Sequence, residues 1–414
     1  MPARSPASLP GPNPIPFVGD IGNRIRFHAS PLRNLVKLGS YGPVVGMSRG
    51  NARSVFIFRP ELNMQVFNNP DLFRSPEFWA MAPPDSALSR LWKGLVAING
   101  PLHRSHRRML MPSFHKKKVE SYRDSMVAQF QRMLEGWKAG ETRDIFADMR
   151  RVTLLVVTQV LFGIEDEREV ASMGTLMADW LLQFTNPWAQ LLPFDKPGLP
   201  YRRLMRLSAR GEAAIRELIA RKRAQGADGN DVLSMLLQAR DEEGGAFTDA
   251  ELVGHTNILF VAGHETTTNA MTWTLLLLDQ HPEVQAALVD EIDGVLRGGA
   301  PTLEQLEAMP LLDRVIKESM RLIPPVPVGF RISTAPFELN GYGFDAETTV
   351  YYSPYITHRQ PDLYPEPNRF LPDRWLQGEP PVYGYIPFIN GPRRCIGATM
   401  ATMELKLLLP MILS

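Results

Sequence analysis

Residues 388–404 read F-I-N-G-P-R-R-C-I-G-A-T-M-A-T-M-E and hold Cys395, the only cysteine among 414 residues. Gly391 and Gly397 bracket it, Arg393 and Arg394 precede it, and an apolar pattern of helical spacing follows. The glycines let the backbone turn tightly and approach a flat ligand, and the spacing puts Cys395 just before or within the first turn of the helix. Unpaired helix N–H groups, the positive end of the helix dipole and the neighbouring guanidinium groups all favour thiolate over thiol. A lone cysteine is ordinarily a small buried hydrophobe. Here its surroundings point to an anionic sulfur ligand.

Thiolate is one of the few protein groups that ligate haem iron. The pattern F-x-x-G-x-R-x-C-x-G, carried by Phe388, Gly391, Arg393, Cys395 and Gly397, is expected by chance on the order of once in ten thousand chains of this length. It resembles the haem-binding loop of the cytochrome P450 family. The resemblance implies a mainly α fold with a small β region and a long central helix crossing the distal face of a haem b. It also implies Cys395 as the axial thiolate, with Phe388, Arg393 and Gly397 beside the cofactor.

Composition sets outer bounds. A chain with 44% apolar residues can bury a large core, and 45 basic against 44 acidic residues leave a formal charge of +1. That balance gives no reason to expect nucleic acid or an anionic membrane as an overall partner. One cysteine allows no internal disulfide, as in a reducing compartment. The N-terminus is too proline-rich for a signal peptide, and no run reaches the roughly 18 apolar residues of a membrane span. The expectation is a cytoplasmic monomer, one domain over 1–414 with a proline-rich lead-in at 1–20.

In chain order, residues 31–38 have helical spacing, and residues 44–47 and 55–58 read as a strand pair. Residues 71–99 show little periodicity but carry Phe73, Phe78, Trp79, Met81, Leu88, Leu91 and Trp92, which fill core or line a pocket. Residues 100–108 then place His103 and Arg107 one helical turn apart, able to grip one anion together. The pair is similar to the family segment that holds the haem propionates. His115, Lys116, Lys117 and Lys118 extend the positive charge toward a docking surface for an acidic electron donor. Residues 119–238 read as almost wholly helical, with an apolar helix at 146–162 and an amphipathic one at 201–223. Trp180, Leu181, Phe184 and Trp188 between them suggest an apolar pocket wall or core.

The longest helix starts at a capping box, Thr248-Asp249-Ala250-Glu251, and stops before His281-Pro282. Its middle reads Ala262-Gly263-His264-Glu265-Thr266-Thr267-Thr268, where a glycine and three threonines conflict with helix propensity. Such a conflict inside a buried helix marks a functional site. The segment resembles the family signature A-G-x-E-T-T. By that resemblance Ala262 and Gly263 leave room for dioxygen, and Thr266 and Glu265 deliver protons to it. His264 stands at a variable position and receives no role.

Glu318 and Arg321, with Arg374 in a P-D-R-W segment, resemble the family's structural ion-pair network. Arg331, like Arg393, resembles an arginine that pairs with a haem propionate, and Val328 and Phe330 are pocket candidates. Asn340-Gly341 signals a hairpin turn. The chain stops at Ser414, whereas family members continue through C-terminal strands; the expectation is that these strands are missing.

The implied activity is monooxygenation of an apolar small molecule, one atom of O2 going to substrate and the other to water. No G-x-G-x-x-G after a strand and no P-loop is present, so electrons are expected from separate proteins, which the resemblance implies are a ferredoxin or flavodoxin with its NAD(P)H-dependent reductase. The alternatives are a peroxide-driven haem peroxygenase and a non-catalytic haem-binding protein.

Overall fold

The computed structural model describes residues 8–77, 82–296 and 298–414. Phe78, Trp79 and Met81 from the aromatic stretch lie outside them, as does Arg297. The chain forms two compact units, one of Met1–Pro76, Trp273–Leu288 and Met309–Ile396, the other of Glu77–Thr272, Val289–Ala308 and Gly397–Ser414.

The first unit carries the β structure. Strands β1 (Val44–Gly46), β2 (Ser54–Ile57), β3 (Phe73–Arg74), β4 (Gly329–Ser333) and β7 (Thr349–Tyr352) form one sheet in the order β1-β2-β7-β4-β3. The expected pair, β1 and β2, is antiparallel, and β2 continues into the sheet by pairing parallel to β7. Strands β5 (Phe337–Leu339) and β6 (Tyr342–Phe344) make a hairpin whose turn is Asn340-Gly341, both at positive φ, 51° and 77°. Positive φ at both positions is what a tight two-residue hairpin requires. One sheet face packs Val55, Ile57, Phe67, Val350 and Tyr352 into a core; the other packs Val45, Phe56 and Phe58 against Phe27 and Leu35.

The Pro310–Leu322 helix lies in the same unit, with Glu318 and Arg321 fully buried. The Glu318 carboxylate accepts from Arg321 Nε (2.8 Å) and Nη2 (2.9 Å), Arg374 Nε (2.9 Å), Trp375 Nε1 (3.1 Å) and the Leu371 N–H (2.9 Å). Arg321 also donates to the carbonyls of His358, Pro367 and Arg369. Buried charges persist where every lone pair and proton is used in this way.

The second unit is helical. The Ile145–Phe162 helix starts at Asp144, which caps the Ala147 N–H, and ends at Gly163 in the left-handed conformation. The Asp249–Asp279 helix is 31 residues long and begins as expected: the Thr248 N–H donates to Glu251 Oε2 at 2.8 Å, and the Glu251 N–H to Thr248 Oγ1 at 3.3 Å. The two helices are joined by Thr153 Oγ1 and Thr268 Oγ1, 2.7 Å apart. Of the aromatic cluster, Trp180 stacks on Phe184 (5.1 Å), and Phe184 on Trp92 (4.6 Å). Trp188 differs from expectation: it is 63% exposed, because it sits on the short Pro187–Leu191 helix that presents it to solvent. Among the described residues no helix is long and apolar enough to cross a membrane.

Candidate functional site

The loop around Cys395 is shaped by local backbone geometry. Gly391 has φ +73°, and a Cβ there would meet the Phe67 carbonyl oxygen at 2.8 Å and Asn68 Oδ1 at 3.1 Å. Both handedness and space therefore demand glycine. The Cys395 N–H donates to the Phe388 carbonyl at 2.9 Å, which folds the two ends of the motif together. Cys395 is exposed, Phe388 and Arg393 are half-buried, and the helix Ala398–Leu413 starts three residues on, with Gly397 as its N-cap.

Gly397 has a different reason for its identity. Its φ is −86° and a Cβ there would have nothing within 4 Å. Nothing in the protein itself excludes a side chain, so the glycine leaves room for a flat prosthetic group.

The Asp249–Asp279 helix carries the second candidate segment. Ile258, Leu259 and Phe260 are buried, as are His264, Thr267 and Thr268, yet Ala262 between them is exposed. Ala262 is thus accessible although these neighbours on the helix are covered. Thr266, one turn on, is half-buried and donates from Oγ1 to the Ala262 carbonyl at 2.6 Å. Gly263 also serves packing, since a Cβ there would come within 3.2 Å of Val157. Glu265 is 27% exposed and pairs with Arg150, Nε to Oε1 at 3.4 Å.

His103 is buried and Arg107 half-buried on the Gly100–Leu110 helix, on the shared face their spacing predicts. That helix is tied to the long one by His106 Nδ1 and His255 Nε2, 2.9 Å apart. Burial pushes His255 down to about 3, and lowers His106 against the opposing charges of Glu251 and Asp241. Arg331, on β4, is buried; it donates to the Phe330 carbonyl and lies over the Tyr352 ring at 5.4 Å. In the basic run, Lys116 approaches Glu120 and Glu307, and Lys118 meets Asn230.

Several residues escaped the sequence reading: Arg150, His264, His106, His255 and Glu404. Glu404 follows Cys395 by nine positions, is 1% exposed, and its Oε2 has no hydrogen-bond partner among the described residues. Burial pushes its carboxyl well above the usual range. The spacing C-x8-E was visible, but no pattern predicts a buried, unpaired carboxyl.

An exposed thiol in a loop shaped by Gly391 is what a haem-thiolate protein requires. The chain belongs to the cytochrome P450 family, whose model matches residues 9–414. It is 32% identical over 403 residues to a cyclooctat-9-en-7-ol 5-monooxygenase of Streptomyces melanosporofaciens, covering 95% of this chain and 86% of the relative. It is 29% identical to a pentalenene oxygenase of Streptomyces avermitilis, covering 97% and 89%. Among solved structures, a retinoic acid-bound cyanobacterial P450 superimposes with a TM-score of 0.84 at 27% identity, covering 98% of this chain and 91% of that one. The protein is thus an oxidoreductase of the haem-thiolate monooxygenase class.

Proposed function

We propose that the protein hydroxylates or epoxidises an apolar hydrocarbon skeleton, taking electrons from a separate ferredoxin or flavodoxin and its NAD(P)H-dependent reductase. The observation that carries this reading is the exposed Ala262 in a buried helix, with the Thr266 hydroxyl bonded to its carbonyl. The relatives named for an alkenol and for pentalenene support a substrate with few polar groups.

When bound, the haem supplies the iron at which O2 is activated. Cys395 would provide its sulfur ligand, with Phe388 and Gly397 beside the ring. His103, Arg107, Arg331 and Arg393 would hold its carboxylates through charge-assisted hydrogen bonds. Ala262 and Gly263, having little or no side chain, would leave room for a small ligand beside that group. Because the Thr266 hydroxyl spends its proton on the Ala262 carbonyl, its lone pairs are free to accept a hydrogen bond from an O–H donor beside it. Glu265, reachable from solvent, would act as the general acid that replenishes protons.

The test is reconstitution with haem, a ferredoxin and its reductase, with candidate substrates screened by the shift of iron to high spin. Product that depends on NAD(P)H and O2 supports the reading. Efficient turnover with hydrogen peroxide and none with reductase partners overturns it in favour of a peroxygenase.

A further inference from the structure

We propose that His264 is a positioning residue for Glu265: it receives the protonated Glu265 carboxyl as a hydrogen-bond partner, while Arg150 receives the ionised one. The inference rests on the monooxygenase reading above and deepens it.

His264 is buried, and its Nε2 lies 2.9 Å from the backbone carbonyl of Arg150. A carbonyl oxygen only accepts, so Nε2 carries the hydrogen. A neutral imidazole has one N–H, so Nδ1 is left as a lone pair. That lone pair stands 3.8 Å from Glu265 Oε1, outside hydrogen-bond range. Two acceptors face each other there, and only a proton on the carboxyl turns the gap into an O–H···N bond. The same Oε1 is 3.4 Å from Arg150 Nε, a cation that prefers the carboxylate. One oxygen thus stands between a donor and an acceptor, and its own protonation selects the partner.

The charged groups that face His264 are Glu265 on its own helix and Arg150 on the Ile145–Phe162 helix. Burial lowers the imidazole from its ordinary value, with Arg150 acting in the same direction and the Arg150 carbonyl and Glu265 opposing. The imidazole is therefore neutral at pH 7, the form the arrangement requires. In each cycle the Glu265 carboxylate takes a proton from solvent on its exposed side, leaves Arg150 and bonds Nδ1 of His264. On giving that proton up to the site it becomes a carboxylate again and returns to Arg150. No bond to carbon changes and no electron moves.

The test compares wild type with H264Q, which keeps an acceptor and a donor, and H264F, which keeps neither. In haem-loaded protein with a ferredoxin and its reductase, product formed per NAD(P)H is followed from pH 6 to 9. H264Q should stay within twofold of wild type. H264F should lose at least fivefold in coupling at pH 8, with its pH limb moved down by half a unit or more. Turnover driven by hydrogen peroxide, which brings its own protons, should stay within twofold in all three, a result that a folding defect would not give. Independently, 15N–1H correlation spectra of the histidine-labelled, carbon monoxide-bound ferrous protein should show the Nε2–H tautomer at His264, identified by its loss in H264Q. An Nδ1–H tautomer, or an H264F variant with the wild-type pH limb, overturns the proposal alone. A wild-type protein that works only with peroxide overturns the monooxygenase reading and this proposal with it.

Discussion

Arg321 grips Glu318 through two parallel bonds, Nε to Oε2 at 2.8 Å and Nη2 to Oε1 at 2.9 Å, with both side chains wholly withdrawn from solvent. Removing one partner leaves a buried charge with no counterion. Replacing Glu318 by Ala should therefore destabilise the fold by about 3–5 kcal/mol, measured by urea unfolding. R321K, which keeps the charge but loses the planar fork, should also be clearly destabilised, and a variant within about 0.5 kcal/mol of wild type would contradict the assignment of the network as structural.

Acid should weaken the protein through buried histidines. His358 accepts the Ile386 N–H on Nε2 (2.8 Å), so Nδ1 carries the hydrogen and faces the Arg321 carbonyl at 3.2 Å. Burial pushes it down to about 3, as it does His255. For a depressed histidine the unfolded chain binds the extra proton. Stability is then complete above the unfolded value near 6.5 and is lost as pH falls toward 3, by about 1.4 kcal/mol per pH unit for each group at most. Urea midpoints should drop between pH 7.5 and 5.5, and the drop should shrink in H255L. Glu404 acts oppositely: its raised carboxyl opposes folding increasingly as pH rises above the unfolded value, so E404Q should be more stabilising at pH 8 than at pH 5.

The two loop glycines should separate in mutation. G391A forces a Cβ against the Phe67 carbonyl at positive φ, and should lower stability by about 1–3 kcal/mol even without haem. G397A meets nothing and should leave haem-free stability within about 0.5 kcal/mol while reducing haem retention. Thermal melts of haem-free protein and the haem-to-protein ratio after reconstitution test this; a G397A variant that retains haem as well as wild type would contradict the reading of its open space.

Thr266 donates to the Ala262 carbonyl at 2.6 Å, and T266A removes the hydroxyl while keeping the helix. Haem spectra should be unchanged while a larger share of NAD(P)H electrons ends in hydrogen peroxide. Oxygen-electrode and peroxide assays give the ratio; unchanged coupling would remove Thr266 from proton delivery.

Much of this was legible where the signal is local. The Thr248–Glu251 capping box, the Asn340-Gly341 turn and Gly391 ahead of Cys395 each specify backbone geometry within a few residues, and each formed as read. Partners distant in sequence were not legible. Nothing in residues 54–57 announces parallel pairing with residues 349–352, because a strand's pattern names its buried face and not its neighbour. Likewise His264 looked unremarkable until the Ile145–Phe162 helix brought Arg150 to it. Trp188 shows the converse limit, since an aromatic residue beside a core cluster can still face solvent.

The absorption spectrum of the haem-loaded, dithionite-reduced protein under carbon monoxide tests the central claim most directly, with C395A alongside. Thiolate ligation by Cys395 predicts a strongly red-shifted Soret band in wild type that is lost in C395A. A wild-type band at the position typical of imidazole-ligated or unligated haem would contradict Cys395 as the ligand.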